Sequence, residues 1–133
     1  MMSVRYKTCL LIDDNYIDNF VTSKILESGN YAENIVILQS PEDAIESLRT
    51  GIVKPDIIFL DVRMPNMSGF EFLEVYDEID IENKKDIKIF MLSSSLDPTD
   101  IKKALVNKYV TQFISKPVTH KALEDLFSHD LSC

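Results

Sequence analysis

The chain has 133 residues, of which 45% are apolar and 27% charged, with a net charge of −8. That is enough for one domain with a proper core and has the composition of an ordinary globular protein. The excess of 22 acidic over 14 basic residues excludes a general nucleic-acid or anionic-membrane surface, because phosphate contacts need clustered Lys and Arg and here Lys84-Lys85 and Lys102-Lys103 are only pairs.

In chain order, Cys9-Leu10-Leu11-Ile12 reads as a first strand that stops at Asp13-Asp14-Asn15. Ile17, Phe20, Val21, Ile25 and Leu26 then recur at helical spacing, with Gly29 as the stop. Ile35 to Leu38 is a second β-branched run. Ser40-Pro41-Glu42-Asp43 is a helix start, with an N-cap, a proline at the first position and acids in the first turn; Ala44, Ile45 and Leu48 form its inner face and Gly51 ends it. Pro55 opens a third strand, whose run from Ile57 to Val62 is apolar except for Asp61 and so is expected to be buried on both faces. After the turn-rich Pro65 to Gly69, a helix from about Phe70 is expected to bury Phe70, Leu73, Tyr76 and Ile79. Ile81 to Asp86 is a polar loop, and Ile87 to Leu92 a fourth strand ending in Ser93-Ser94-Ser95. Asp97-Pro98-Thr99-Asp100 starts a further helix with Ile101, Ala104 and Leu105 facing inward. Val110 to Ser115 is a fifth strand closed by Lys116-Pro117, and Thr119 caps a last helix with a stripe of Ala122, Leu123, Leu126 and Phe127.

Five strand-helix units with short connections predict a mostly parallel sheet with helices on both faces, that is, a three-layer α/β/α sandwich of (βα)5 form. In such a sheet ligands sit at the carboxyl ends of the strands. The polar residues at those ends are Asp13, Asp14, Asp61, Ser93 and Lys116. Carboxylates held together repel one another unless a cation is present, and oxygen ligands without His or Cys suit a hard ion, first of all Mg²⁺. Asp61 on the middle strand can then act as a nucleophile toward a phosphoryl group, while Lys116 neutralises developing charge and Ser93 hydrogen-bonds a phosphoryl oxygen. The structural alternative for each carboxylate alone is a turn or cap; their joint placement with Lys116 favours a site. His120 and His129 are isolated in sequence and read as surface residues. Cys9 and Cys133 have no metal-type spacing and point to a reducing, cytoplasmic setting without a disulfide. No apolar run reaches the length of a membrane span, and Met1 to Lys7 lacks the apolar core of a signal peptide.

Leu11-Ile12-Asp13-Asp14-Asn15, Phe59-Leu60-Asp61-Val62-Arg63-Met64-Pro65 with Ser68-Gly69, Met91-Leu92-Ser93-Ser94, and Phe113-Ile114-Ser115-Lys116-Pro117 together resemble the CheY-like receiver domain of two-component response regulators. The likeness runs from about Tyr6 to the last helix. It implies a flavodoxin-like sheet of strand order 2-1-3-4-5. It implies that Asp61 is the phosphoacceptor, that Asp14 binds Mg²⁺ directly and Asp13 mainly through water, and that the backbone carbonyl of Arg63 is a further Mg²⁺ ligand. Ser93 and Phe113 match the family's switch residues, Lys116 its lysine, and the Lys116-Pro117 peptide is expected to be cis.

The resemblance implies a stand-alone receiver (residues 1–133, core about 6–130) with no effector domain. It would be a signalling protein rather than an enzyme, although it assists its own phosphorylation and dephosphorylation. A histidine kinase or histidine phosphotransfer protein would phosphorylate it, and it would report to a target protein or a relay step through its fourth and fifth units, as a monomer or weak homodimer, with no nucleic-acid or membrane partner. The alternative is a degenerate receiver that docks a partner without phosphorylation. A phosphohydrolase of the haloacid dehalogenase type needs Asp-x-Asp after the first strand, and here the acids are adjacent. Two departures from the family pattern stand out. Asn107 stands in a stretch that normally carries glycine and could take a left-handed conformation in its place. Arg63 is a long cation beside the acidic site, able either to pair with an acid or to shield a phosphoryl group; Ser95 also flanks the site.

Overall fold

Successive side chains of a strand leave opposite faces of the sheet, so a parallel sheet buried on both sides builds two core halves from alternate residues. The computed structural model describes residues 6–131, with side chains through residue 126. Strands β1 (Tyr6–Ile12), β2 (Ala32–Leu38), β3 (Ile57–Asp61), β4 (Lys88–Ser93) and β5 (Val110–Ser115) alternate with helices α1 (Tyr16–Ser28), α2 (Pro41–Thr50), α3 (Gly69–Glu78), α4 (Pro98–Val106) and α5 (His120–Leu131). All strand pairs are parallel and the order is β2-β1-β3-β4-β5, the three-layer arrangement expected from the sequence. Cys9, Leu11, Ile57, Phe59, Phe90 and Leu92 pack against Leu26 of α1 and Leu123 and Leu126 of α5. Leu10, Ile12, Ile58, Leu60, Ile89 and Met91 pack against Ala44 and Leu48 of α2, Phe72, Leu73 and Tyr76 of α3, and Ala104 of α4. The expectation for Met1 to Lys7 falls mostly outside the described residues, as do Cys133 and the side chains of Phe127 and His129.

The helix starts follow local chemistry. Asn15, Ser40, Ser68 and Asp97 each accept a hydrogen bond from a backbone N–H of the first turn. Ser68 and Glu71 form a full capping box. Thr119 Oγ1 likewise accepts the N–H of Ala122. Gly51 closes α2 in the left-handed region, with φ 79°.

Four details differ from the apolar pattern of the sequence. In α1, Ile17, Phe20 and Val21 are exposed, and the inward positions belong to Asn19, Thr22, Ser23 and Leu26. The helix is rotated so that Asn19 Nδ2 can donate to the carbonyl of Asp13 at 2.7 Å. In α3, Phe72 is buried and Phe70 only half-buried. In α4, Leu105 points to solvent while Asp100 is buried beside Ala104, because Asp100 has a charged partner across the helix-loop junction. Asn107 has φ −81° and ψ 127°, an extended conformation that needs no glycine; its side-chain oxygen accepts the N–H of Tyr109 and holds the turn instead.

Candidate functional site

Parallel strands in near-equal register end at one level. Ile12 pairs with Leu60, Asp61 with Leu92, and Ser93 with Ser115, so the residues at or just beyond those ends share one edge of the sheet. Asp61 is the last residue of β3, and Asp13 follows β1 directly. Both are buried, at 5% and 2% exposure, whereas Asp14 lies at the solvent side. One carboxylate oxygen from each of Asp13, Asp14 and Asp61 falls within 4.8 Å of the other two. The Lys116 ammonium reaches in from the end of β5, donating to Asp13 Oδ2 at 2.8 Å and Asp18 Oδ2 at 2.9 Å and lying 3.1 Å from Asp61 Oδ1.

The backbone fixes these groups. The Lys116 N–H donates to the carbonyl of Ser93 at 2.8 Å, and the Lys116-Pro117 peptide is cis. Asp13 Oδ1 accepts the N–H of Asn15 at 2.9 Å. Ser93 is buried and its Oγ accepts the N–H of Ser95 at 3.0 Å. Behind Asp61, Gly69 brings α3 hard against the strand: its N–H donates to the carbonyl of Val62, and a Cβ there would lie 2.5 Å from the carbonyl oxygen of Asp61. Arg63 turns its guanidinium to α4, where Nη2 donates to Asp100 Oδ2 at 2.6 Å. Phe113 is half-buried and packs on the α2–α4 side of the sheet.

Burial raises the Asp61 carboxyl to about 7, the charge of Asp13 adds to the rise, and Lys116 opposes it. Burial by itself would lower the Lys116 ammonium, but hydrogen bonds to Asp13 and Asp18 outweigh it and hold the group above its ordinary value. The site therefore has a permanent cation and a central carboxylate that is costly to ionise in the metal-free protein. Carboxylate oxygens alone, one of them open to solvent, are the donor set of a hard divalent cation, and such an ion would offset the same repulsion.

Residues 9–128 match the family model described as the response regulator receiver domain. The chain belongs to the response regulator receiver family. It is 34% identical to the two-component response regulator ARR17 of Arabidopsis thaliana over 93% of this chain and 84% of that protein. Among solved structures, it resembles a two-component response regulator from Cytophaga hutchinsonii with a TM-score of 0.85 and 32% identity, over 97% of this chain and 99% of that one. A receiver protein from Dyadobacter fermentans gives 0.81 and 31%, over 92% and 96%.

Three residues around this receiver's site were not singled out by the sequence. Asp18 shares the Lys116 ammonium, and its signal was an acid one turn into the helix that leaves Asp13 and Asp14. Asn19 is a buried polar residue in the inward stripe of α1. Asp100 was legible as a first-turn acid but not as a buried one.

The raised Asp61 carboxyl has a consequence for stability. The unfolded chain releases this proton near pH 4 and the folded receiver near 7. Its contribution is therefore fully present below about pH 4 and lost as pH rises through 7. Asn keeps the neutral form at every pH. Metal-free Asp61→Asn is expected to equal the parent near pH 4 and to become more stable by up to about 4 kcal/mol at pH 8, read from urea unfolding across that range.

Proposed function

We propose that this receiver is a phosphoacceptor switch, with Asp61 as the residue that takes the phosphoryl group from the phosphohistidine of a histidine kinase or phosphotransfer protein. The observation that carries the reading is a buried strand-end carboxylate with a part-buried ammonium 3.1 Å away and two further carboxylates in reach. Asp13, Asp14 and Asp61, with the backbone carbonyl of Arg63, would hold Mg²⁺. Bound there, Mg²⁺ supplies charge neutralisation for the phosphoryl oxygens and for the crowded carboxylates.

An Asp61 carboxylate oxygen attacks phosphorus, and the N–P bond of the donor breaks. The imidazole nitrogen keeps that electron pair and takes a proton from solvent, and the product is an acyl phosphate on Asp61. Lys116 stays protonated throughout and faces the oxygens where charge builds. Asp13 and Asp18 hold the ammonium in place, and Asn15 and Asn19 hold Asp13. The hydroxyl of Ser93 donates to a phosphoryl oxygen, drawing β4 and the loop toward α4 with it, and Phe113 follows. Output then passes through the surface of the fourth and fifth units, where Leu96, Leu105 and Val106 are exposed apolar side chains fit for a protein target.

The receiver would act as a cytoplasmic signalling component, a monomer or a weak homodimer. No described helix is long and apolar enough to cross a membrane. The test is intact mass after incubation with acetyl phosphate. The expected result is a gain of one phosphoryl group that requires Mg²⁺ and is absent in Asp61→Asn. No gain in the parent with Mg²⁺ would overturn the reading and leave a docking module in its place.

A further inference from the structure

In α4 an acid takes the inward position that the apolar pattern assigned to leucine. The helix turns Asp100 and Ala104 toward the protein and Leu105 and Val106 toward water. A buried carboxylate costs several kcal/mol unless it is paired. Asp100 has its partner in Arg63, two residues beyond Asp61, at 2.6 Å. The pair is lopsided: the Asp100 side chain is 11% exposed and that of Arg63 64%. The carboxylate depends on the guanidinium, while the guanidinium sits at the surface with room to move. Asp97, the N-cap of the same helix, lies 3.8 Å from the same Nη2. One turn further on, the Lys103 ammonium stands 4.6 Å over the ring of Phe70 at the start of α3. Both contacts tie α4 to the segment that follows Asp61.

We propose that Arg63 is a latch: it holds the first turn of α4 through Asp100 in the unphosphorylated protein, and a phosphoryl group on Asp61 draws it off. Given Asp61 as the acceptor, on which this inference rests, phosphorylation places a multiply charged anion two residues from Arg63, and Arg pairs with phosphate oxygens by the same charge-assisted, bidentate geometry that it uses with carboxylates. Arg63 serves one anion or the other. Once it leaves, Asp100 is a buried charge without its cation, and the first turn of α4 gains by exposing it to water. The position of α4 and the occupancy of Asp61 are thereby coupled, and the coupling must be reciprocal. Arg63 acts here as a positioning residue through its side chain, separately from any role of its backbone carbonyl.

Two measurements test this on the intact chain: amide exchange over residues 99–104 and the apparent affinity for beryllofluoride with Mg²⁺. In the metal-free protein, Arg63→Gln and Asp100→Asn are each expected to speed exchange in the first turn of α4 by on the order of fivefold. Arg63→Lys, which keeps the charge, recovers part of the protection. In the parent, beryllofluoride speeds the same amides. Asp100→Asn, which removes the nearer of the two acids that hold the guanidinium, is expected to bind beryllofluoride on the order of fivefold more tightly than the parent, and that gain disappears in the Arg63→Gln background. Equal affinity of parent and Asp100→Asn, or a gain that survives in Arg63→Gln, would overturn the latch while leaving the acceptor reading intact. Absence of any beryllofluoride uptake by the parent would overturn the acceptor reading and the competition with it. Unchanged metal-free exchange in Arg63→Gln would overturn the latch on its own.

Discussion

Lys116→Met is expected to lose on the order of 3 kcal/mol of stability in metal-free buffer at pH 8. Methionine keeps most of the length and volume of lysine, so the loss reports the charge. The Lys116 side chain is 9% exposed and faces Asp13 and Asp61 side chains that are 3% and 7% exposed. Taking away the ammonium leaves two buried carboxylates side by side with no cation between them, the situation in which removal of one partner is most damaging. The direction with pH follows from Asp61, whose carboxyl is already raised to about 7 with the lysine present and rises further without it. At pH 5 the variant holds that proton and the loss shrinks; millimolar Mg²⁺ at pH 8 reduces it too. Phosphorylation by acetyl phosphate is expected to slow on the order of 100-fold, the scale of losing one preorganised charge at a reacting centre. Urea unfolding at the two pH values and an initial rate by intact mass check both parts. A stability loss independent of pH would mean that Lys116 contributes packing and not charge.

Gly69→Ala is expected to be the most damaging single-methyl change near the site. The added Cβ would stand 2.5 Å from the carbonyl oxygen of Asp61, 2.8 Å from Met91 Cε and 3.1 Å from Val62 Cα. The methionine end can move, but the two backbone atoms belong to the end of β3 and the residue after it. The start of α3 must back away, straining the 2.8 Å hydrogen bond from the Gly69 N–H to Val62. A loss of about 2 kcal/mol is expected in urea unfolding, at the middle of the overpacking range. The rate of phosphorylation should fall by at least about tenfold, because a displacement well under 1 Å at Asp61 spoils its alignment. Gly51→Ala is the comparison: it meets only Lys54 Cε at 3.5 Å and is strained through its φ of 79° alone, so it should cost stability and leave the rate unchanged.

Why the architecture was readable from sequence can be seen in particular stretches. Ser40-Pro41 and Asp97-Pro98 carry their helix starts in adjacent residues, and β3 is five residues, all of them buried. Local chemistry decides both features, so no tertiary knowledge was needed. The site was readable for a related reason: in a parallel sheet, a polar residue that ends an apolar run is placed at one edge by topology alone. Facing was readable in α2, where Ala44 and Leu48 are buried as expected, but not in α1 or α4. Ile17, Phe20 and Val21 form an apolar stripe at helical spacing, yet Asn19, Thr22 and Ser23 turn inward, because anchoring Asp13 outweighs burying a stripe that has no surface waiting for it. In the same way Arg63 and Asp100 are 37 residues apart, and nothing local to either shows that they meet. Their pairing overrides the expectation that Leu105 would face the core. Asn107 was read by analogy with glycine, whereas its side chain makes the turn by a hydrogen bond that permits an ordinary φ.

The claim that Asp61 itself receives the phosphoryl group is tested most directly by borohydride trapping. An acyl phosphate is reduced to the alcohol, which converts the modified aspartate to homoserine and marks its position permanently. After acetyl phosphate and Mg²⁺, peptide mass mapping should find homoserine at position 61 and unmodified aspartate at Asp13 and Asp14. Homoserine at either of those positions, or none in a sample whose intact mass shows a phosphoryl group, would contradict the account.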